Sequence, residues 1–177
     1  MSQTPPHQPA GDAATIDAIR SEIERNGGRI TFARFMELAL YHPDHGYYLR
    51  PERRPGRGGD FLTAPETHPF FGVTLARQIV DCWDLLGRPA PFTIREYGAG
   101  VGGLAYDILV GLSREAPELL PNLRYRMIEP NRAQRGQALA ALAEVGFGHI
   151  AAAEAPEPAA GPIVGVALAN EVADALP

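Results

Sequence analysis

The sequence lacks several features that would assign the protein to a distinct class. It has one cysteine, Cys82, so no disulfide can form within the chain, and the apolar helical pattern around it predicts a small core side chain. The net charge of −5 is opposite in sign to that of a nucleic-acid-binding surface, so no nucleic-acid partner is expected. No apolar run approaches the length of a membrane span, which excludes a membrane-embedded helix.

The N-terminal end also lacks targeting features. Residues 1–11 are rich in proline and glutamine and have neither a positively charged start nor an apolar segment. They predict a disordered tail rather than a signal peptide, and we expect a cytoplasmic bacterial protein. His42 and His45 lie close together in the sequence, but no cysteine or group of acids stands at ligand spacing. No metal site is therefore expected.

A glycine-rich turn between a strand and a helix is the most informative stretch of the chain. The residues from Phe92 to Tyr97 predict a strand, glycines follow at four of the positions 98–103, and a helical pattern begins at Leu104. Glycines let the backbone approach a ligand closely, and the start of a helix offers unpaired N–H groups. This order is typical of a nucleotide-type cofactor site.

Two cofactor patterns fit this turn. Gly98, Gly100 and Gly103 match the dinucleotide pattern G-x-G-x-x-G. Together with Glu96, the glycines Gly98, Gly100 and Gly102 match E-x-G-x-G-x-G, the pattern of S-adenosylmethionine (SAM) methyltransferases. A carboxylate at position 96 suits the ammonium group of the methionine moiety, whereas it would repel a pyrophosphate. The acid therefore favours SAM over NAD(P).

A second acid supports the same cofactor. Glu129 directly follows the next predicted strand, residues 124–128, where a carboxylate can accept hydrogen bonds from both ribose hydroxyls. In a dinucleotide site the corresponding acid lies about 20 residues beyond the glycines, and here the separation is longer. An NAD(P)-binding oxidoreductase is the disfavoured alternative.

Alternating strand and helix patterns predict an α/β fold with a doubly wound sheet in residues 91–177. The pattern predicts a helix capped by Asn131, a weak strand over residues 148–152, and a fourth strand over residues 163–169. That fourth strand is apolar on both faces, which is typical of an interior strand. Residues 12–90 predict an N-terminal helical cap, whose last helix starts near Pro69, ends at Gly87 and has Cys82, Trp83 and Leu86 on its buried face.

Polar residues follow the fourth predicted strand. Asn170, Glu171 and Asp174 would lie beyond the carboxyl end of the sheet, where open α/β sheets bind ligands. An amide and two acids suit a substrate that donates several N–H bonds, and a carboxylate can hold a guanidinium bidentately. We therefore predict these three residues to be catalytic, with Glu171 orienting the acceptor. The alternative is a helix start, with Asn170 as its N-cap.

Taken together, these stretches resemble the MidA family. The resemblance rests on Tyr47-Tyr48, on GDFLTAPE from Gly59 to Glu66, on EYGAGVGG from Glu96 to Gly103, and on NEVADALP from Asn170 to Pro177. It runs from about Ile30 to the last residue, and the second and fourth motifs are much more specific than the glycine turn. Members include the mitochondrial complex I assembly factor that methylates arginine on a subunit of that complex.

The resemblance implies a class I SAM-methyltransferase fold and, by similarity to the characterised eukaryotic branch, a protein substrate whose arginine is N-methylated to symmetric dimethylarginine. It implies that Gly98, Gly100, Gly102 and Glu129 are cofactor positions. It also assigns Asp60 and Thr63 to the cofactor side of the pocket, and Asn170, Glu171 and Asp174 to its acceptor side.

Family members continue well past the last motif, with further strands and a substrate-binding insertion. We therefore expect this chain to be the N-terminal part of a longer enzyme, truncated after the fourth strand and inactive by itself. The remaining alternative is a non-catalytic SAM-binding or assembly module, in which the arginine-rich loop from Arg50 to Gly59 contacts the partner.

Overall fold

A computed structural model describes residues 12–50, 64–154 and 162–177. The chain forms two compact units, one of Met1–Arg50 with Ala175–Pro177 and the other of Pro51–Asp174. The predicted tail over residues 1–11 and the arginine-rich loop, apart from Arg50, lie outside the described residues, as do Asp60 and Thr63. None of the described helices is long and apolar enough to cross a membrane.

The described residues of the first unit form two α-helices, α1 (Ala13–Arg25) and α2 (Phe32–Tyr41), followed by a 3-10 helix over Tyr47–Leu49. The Asp12 side chain caps α1 by accepting the N–H of Thr15, and the Thr31 side chain caps α2 by accepting the N–H of Arg34. Helix α2 ends where His42 precedes a proline and adopts extended geometry.

The second unit contains a four-stranded parallel sheet with the order β3-β2-β1-β4. Its strands are β1 (Phe92–Tyr97), β2 (Leu123–Ile128), β3 (Ala151–Ala153) and β4 (Gly165–Ala169). Its helices are α3 (Ala64–Thr67), α4 (Phe70–Leu85), α5 (Gly103–Glu115) and α6 (Arg132–Glu144). The alternation of strands and helices confirms the predicted α/β fold class.

One face of this sheet packs on helices α4, α5 and α6 to form the core. Phe92, Ile94, Tyr125 and Met127 are fully buried there, beside apolar residues of the three helices. Glu96 belongs to the same face, because it alternates with Ile94 along β1. The opposite side of β1 carries Arg95, which binds Glu154 with both guanidinium arms at 2.8 and 2.9 Å.

Helices α4 and α5 approach closely through small residues. A Cβ atom added at Gly72 would lie 2.4 Å from Asp107 Cβ, and one added at Gly111 would lie 2.5 Å from Ala76 Cβ. The buried face of α4 therefore centres on residues 72, 76, 79 and 83. The predicted buried face is therefore wrong at two positions, because Cys82 is only half-buried and Leu86 is 51% exposed. Both residues lie outside the row of buried positions, and Leu86 follows the end of the helix.

The last two strands begin later than predicted. Strand β3 starts at Ala151 because the N–H groups of Ile150 and Ala151 both bond the Phe147 carbonyl, which forms a turn over residues 148–150. Strand β4 starts at Gly165, where a Cβ atom would lie 1.8 Å from the Thr93 carbonyl oxygen. Among the described strands β4 pairs only with β1, and the interior position that its sequence predicts stays a prediction.

Candidate cofactor site

The strand order places a topological switch point between β1 and β4. The chain proceeds from β1 outward through β2 to β3, and then returns to the other side of β1 as β4. Tyr97 is in register with Ala169, so the glycine turn after β1 and the polar turn after β4 leave the sheet side by side. Open α/β sheets bind their ligands in the crevice at such a point.

The glycine turn uses left-handed backbone at three positions. Gly98, Gly100 and Gly102 have φ values of +67°, +54° and +82°. A Cβ atom on Gly102 would lie 2.8 Å from Ala138 Cβ, so this glycine is required for packing against α6. By contrast, a Cβ atom on Gly100 would meet only one atom of the described residues within 4 Å, Gln134 Oε1 at 3.9 Å. As far as the described residues go, Gly100 therefore presents bare backbone on a side where there is room for a ligand.

Glu129 holds the glycine turn against the end of β2. One carboxylate oxygen accepts the Gly100 N–H at 2.8 Å, and the other accepts the Asn131 N–H at 2.8 Å. Each oxygen keeps a second acceptor site, so the carboxylate can also accept two hydroxyl donors. Burial raises the pKa of Glu129, while the two backbone hydrogen bonds and Arg135 act in the opposite direction. The predicted ribose acceptor thus lies beside the glycine turn.

Glu96 lies beneath the turn and has a protein partner. Its side chain is 3% exposed, and its Oε2 atom accepts the hydroxyl hydrogen of Tyr125 at 2.8 Å. Burial raises the pKa of Glu96 to about 7 against the opposing effect of the Tyr125 hydrogen bond, and the nearby charge of Glu129 adds to the rise. Its predicted role as the partner of the methionine ammonium remains a prediction, and that role now has to compete with the bond to Tyr125.

The polar turn after β4 is tight and mostly exposed. Asn170 is half-buried, Glu171 and Asp174 are exposed, and Glu171 has a φ of +51°. A non-glycine residue in this left-handed region is uncommon, and such residues cluster at ligand sites. No α-helix begins at Asn170 in the described chain. A turn leads instead to a 3-10 helix over Ala173–Ala175, so the predicted N-cap alternative is not what the backbone shows.

Val172 connects the two turns. Its Cγ2 atom lies 2.8 Å from the position of a Cβ atom on Gly98. Gly98 therefore has to be glycine because of Val172 and its own positive φ, rather than because a ligand fills that space. The structure brings the predicted acceptor residues beside the predicted cofactor residues through this contact.

Three further residues shape the site and were missed by the sequence reasoning. Gln134 is 9% exposed and lies over Gly100, Tyr125 bonds Glu96, and the Arg135 guanidinium donates to the Glu129 carbonyl oxygen at 2.6 Å. Gln134 and Arg135 occupy the first turn of α6. Because Asn131 was predicted to cap this helix just after Glu129, the sequence did indicate that residues of the first turn would lie near the site. Tyr125 carries no local signal, because its partner is 29 residues away.

A solved structure resembles this chain closely. It is that of a superfamily member from Burkholderia thailandensis bound to S-adenosyl-homocysteine, with a TM-score of 0.79 and 34% sequence identity. The match covers 93% of this chain and 42% of that chain. A native crystal structure from the same organism gives a TM-score of 0.74 at the same identity. These matches show a class I methyltransferase-type fold.

Curated relatives carry the same part of the sequence. The Drosophila melanogaster protein arginine methyltransferase NDUFAF7 homolog, mitochondrial, is 35% identical over 105 residues. The human protein arginine methyltransferase NDUFAF7, mitochondrial, is 36% identical over 85 residues. The first match covers 59% of this chain and 24% of the fly protein, and the second covers 48% of this chain and 19% of the human protein. The matched segment is therefore about a quarter or less of either relative.

A family model defines the relationship. Residues 74–177, more than half of the chain, match the model of a family described as S-adenosyl-L-methionine-dependent methyltransferases. The matched segment includes the glycine turn, Glu129 and the polar turn after β4. The chain thus belongs to this family of S-adenosyl-L-methionine-dependent methyltransferases.

Proposed function

We propose that the chain supplies the SAM-binding part of a protein arginine methyltransferase. The observation that carries the proposal is the arrangement at the switch point. The bare backbone of Gly100 is bonded to Glu129, and the polar turn of Asn170 and Glu171 lies beside it. Family membership supports SAM as the cofactor, and the names of the relatives support arginine as the acceptor.

The residues of the site fit this cofactor. Within the described part of the chain, Gly100 offers a face with room for a ligand, and each oxygen of Glu129 can accept a further hydrogen bond, from the ribose hydroxyls. Glu96 is the candidate partner of the methionine ammonium, and Asp60 and Thr63 are further candidates on the cofactor side. When bound, SAM supplies an electrophilic methyl group on a sulfonium.

The protein's own contribution to transfer is alignment of the acceptor. Glu171 and Asp174 offer carboxylates at the open end of the switch point, and Asn170 offers an amide oxygen. A carboxylate can hold a guanidinium bidentately and so keep one nitrogen lone pair aimed at the methyl donor. Two transfers on different nitrogens give symmetric dimethylarginine, which is the product we propose.

Calorimetry tests the cofactor half of the proposal. We expect SAM and S-adenosyl-homocysteine to bind and NAD to give no signal. Glu129→Ala should weaken SAM binding by about 1–3 kcal/mol, because hydroxyl donors lose their acceptor. Gly100→Ala should also weaken it, since the new methyl group enters the ligand-facing side. Unchanged SAM affinity in both variants, with correct folding by circular dichroism, would place the cofactor elsewhere.

Proton release tests the role of Glu96 separately. If its carboxyl group holds the ammonium, binding at pH 6.5 should drive its ionisation and release protons into the buffer. Calorimetry in buffers of different ionisation enthalpy measures this release, and Glu96→Gln is the control that abolishes it. Binding without proton release would show that Glu96 keeps its proton and its bond to Tyr125, and so supports the turn from below.

Transfer of labelled methyl groups tests the acceptor. Because the chain matches only part of its relatives' length, the assay uses a full-length enzyme that contains this segment. Its incubation with arginine-containing proteins, followed by hydrolysis and identification of the methylated amino acid, should give symmetric dimethylarginine. Methyl-lysine, or a methylated small molecule, would overturn the arginine assignment and leave the cofactor assignment intact. SAM binding without transfer to any acceptor would favour the non-catalytic alternative.

A further inference from the structure

A cluster of two imidazoles and a carboxylate follows α2 in the first compact unit. One ligand atom each from His42, Asp44 and His45 lies within 4.8 Å of the other two. The two imidazole rings are stacked, with centroids 5.0 Å apart and an angle of 14° between their planes. Both histidines are half-buried and Asp44 is exposed, so the cluster is open to an ion from solvent.

The backbone that carries the cluster is held in place. The Gly46 N–H donates to the His42 carbonyl at 2.8 Å, which closes the segment into a single tight turn. A Cβ atom on Gly46 would lie 2.4 Å from the backbone nitrogen of His42, so only glycine permits this closure. The turn therefore fixes the backbone positions from which the two imidazole side chains extend.

His45 is further anchored to α1 through its carbonyl oxygen. The Thr15 hydroxyl donates to it at 2.9 Å, and the Arg50 guanidinium donates to it at 2.7 and 3.0 Å. Arg50 also forms an ion pair with Asp12, the N-cap of α1. A ligand set on a turn with this many backbone anchors loses little conformational freedom when an ion binds.

The donor set selects a class of ion. Two imidazole nitrogens and one carboxylate oxygen suit zinc and its borderline neighbours, whereas magnesium and calcium prefer oxygen alone. Zinc ligands at about 2.0–2.2 Å in tetrahedral geometry lie about 3.4 Å apart. Binding would therefore require the stacked rings to rotate and the three ligand atoms, which lie within 4.8 Å of one another, to move closer together. Three protein ligands leave the fourth position of a tetrahedral ion for water.

One contact must give way. The Asp44 N–H donates to His42 Nδ1 at 3.3 Å, a long hydrogen bond. An ion bound through Nδ1 replaces this bond directly. An ion bound through Nε2 requires the tautomer with hydrogen on Nδ1, which also ends it.

We propose that His42, Asp44 and His45 form a binding site for one divalent transition-metal ion of the zinc type. The ion would cross-link the side chains of the turn after α2. Because the His45 carbonyl is bonded to Thr15 of α1, the ion would also stabilise the contact between this turn and α1. This site is independent of the methyltransferase proposal, since it shares no residue with the cofactor or acceptor positions.

Titration of the metal-free, purified protein with zinc and with cobalt tests the proposal. We expect one saturable site, and a visible absorption band of four-coordinate type for cobalt. His42→Asn, Asp44→Asn and His45→Asn should each weaken zinc binding at least tenfold. His149→Asn is the matched control, because it removes an exposed histidine from the second unit and should leave binding unchanged.

Four outcomes would overturn the site. Zinc binding that survives all three cluster substitutions, or that is lost in the His149→Asn control, would place the ion elsewhere. Magnesium displacing cobalt at equal concentration would contradict the assigned donor chemistry. As a second readout, zinc should raise the melting temperature of the parent and not of His45→Asn, and an equal rise in both would also refute the proposal.

Discussion

Replacing Glu96 with glutamine should change how the stability of the protein depends on pH. The pKa of the buried carboxyl is about 7 in the folded protein, compared with an ordinary value of 4.5. Between these values the folded protein holds a proton that the unfolded chain has released. The free energy of unfolding therefore falls as pH rises, by about 1.4 kcal/mol per pH unit.

The whole effect amounts to about 3 kcal/mol, from the separation of the two pKa values. It is absent below pH 4.5 and complete above pH 7. Glutamine has no proton to exchange but keeps a carbonyl oxygen for the Tyr125 hydroxyl. The stability of Glu96→Gln relative to the parent should therefore rise across this interval by the same amount.

Urea unfolding at pH 5, 6, 7 and 8 measures the difference, because titration of groups common to both proteins largely cancels. Tyr125→Phe is an informative companion, since it removes the hydrogen bond that lowers the pKa of Glu96. In that variant the loss of stability should extend to higher pH. Parallel pH profiles for the parent and Glu96→Gln would refute the reasoning and would mean that Glu96 is ionised in the folded protein.

Three further substitutions test other parts of the structure. Gly102→Val should destabilise the protein by about 1–3 kcal/mol, because its side chain would collide with α6, and the midpoint of urea unfolding should fall accordingly. If Glu171 orients a guanidinium, Glu171→Gln should keep SAM affinity and lower methyl transfer roughly ten- to hundredfold; equal loss of both would assign the residue to the cofactor. Arg95→Met and Glu154→Gln should show a favourable coupling in a double-mutant cycle, because the pair is bidentate and its side chains are 15% and 16% exposed, whereas additive effects would contradict this.

The sequence predicts the local features of the second unit well. The glycine turn, strands β1 and β2, and the Asn131 cap are encoded in consecutive residues, so pattern alone locates them. The polar turn after β4 is also predicted from its position beyond the end of a strand, and it lies within the segment that matches the family model.

The partners of the site residues could not be predicted in the same way. The pattern places Glu96 at the end of a strand, but it does not reveal that Tyr125 on the next strand bonds it. Likewise, Gly98 reads as a ligand-contact glycine, and only the tertiary structure shows Val172 filling its free side. Asp44 stood between two noted histidines, yet its proximity to both rings depends on the closure of the turn at Gly46.

The contact between Val172 and Gly98 bears on how this site could be redesigned. A designer who wants a new acceptor would exchange Asn170 and Glu171 and leave the glycine turn untouched. Val172, two residues after Asn170, packs against Gly98 at the end of β1. A replacement segment will therefore preserve the glycine turn only if it keeps a side chain of valine's size at this position. A shorter side chain would leave the glycine turn without its neighbour, and a longer one would push it out of place. Acceptor choice and cofactor affinity are thus expected to vary together in any library that randomises this segment as a block.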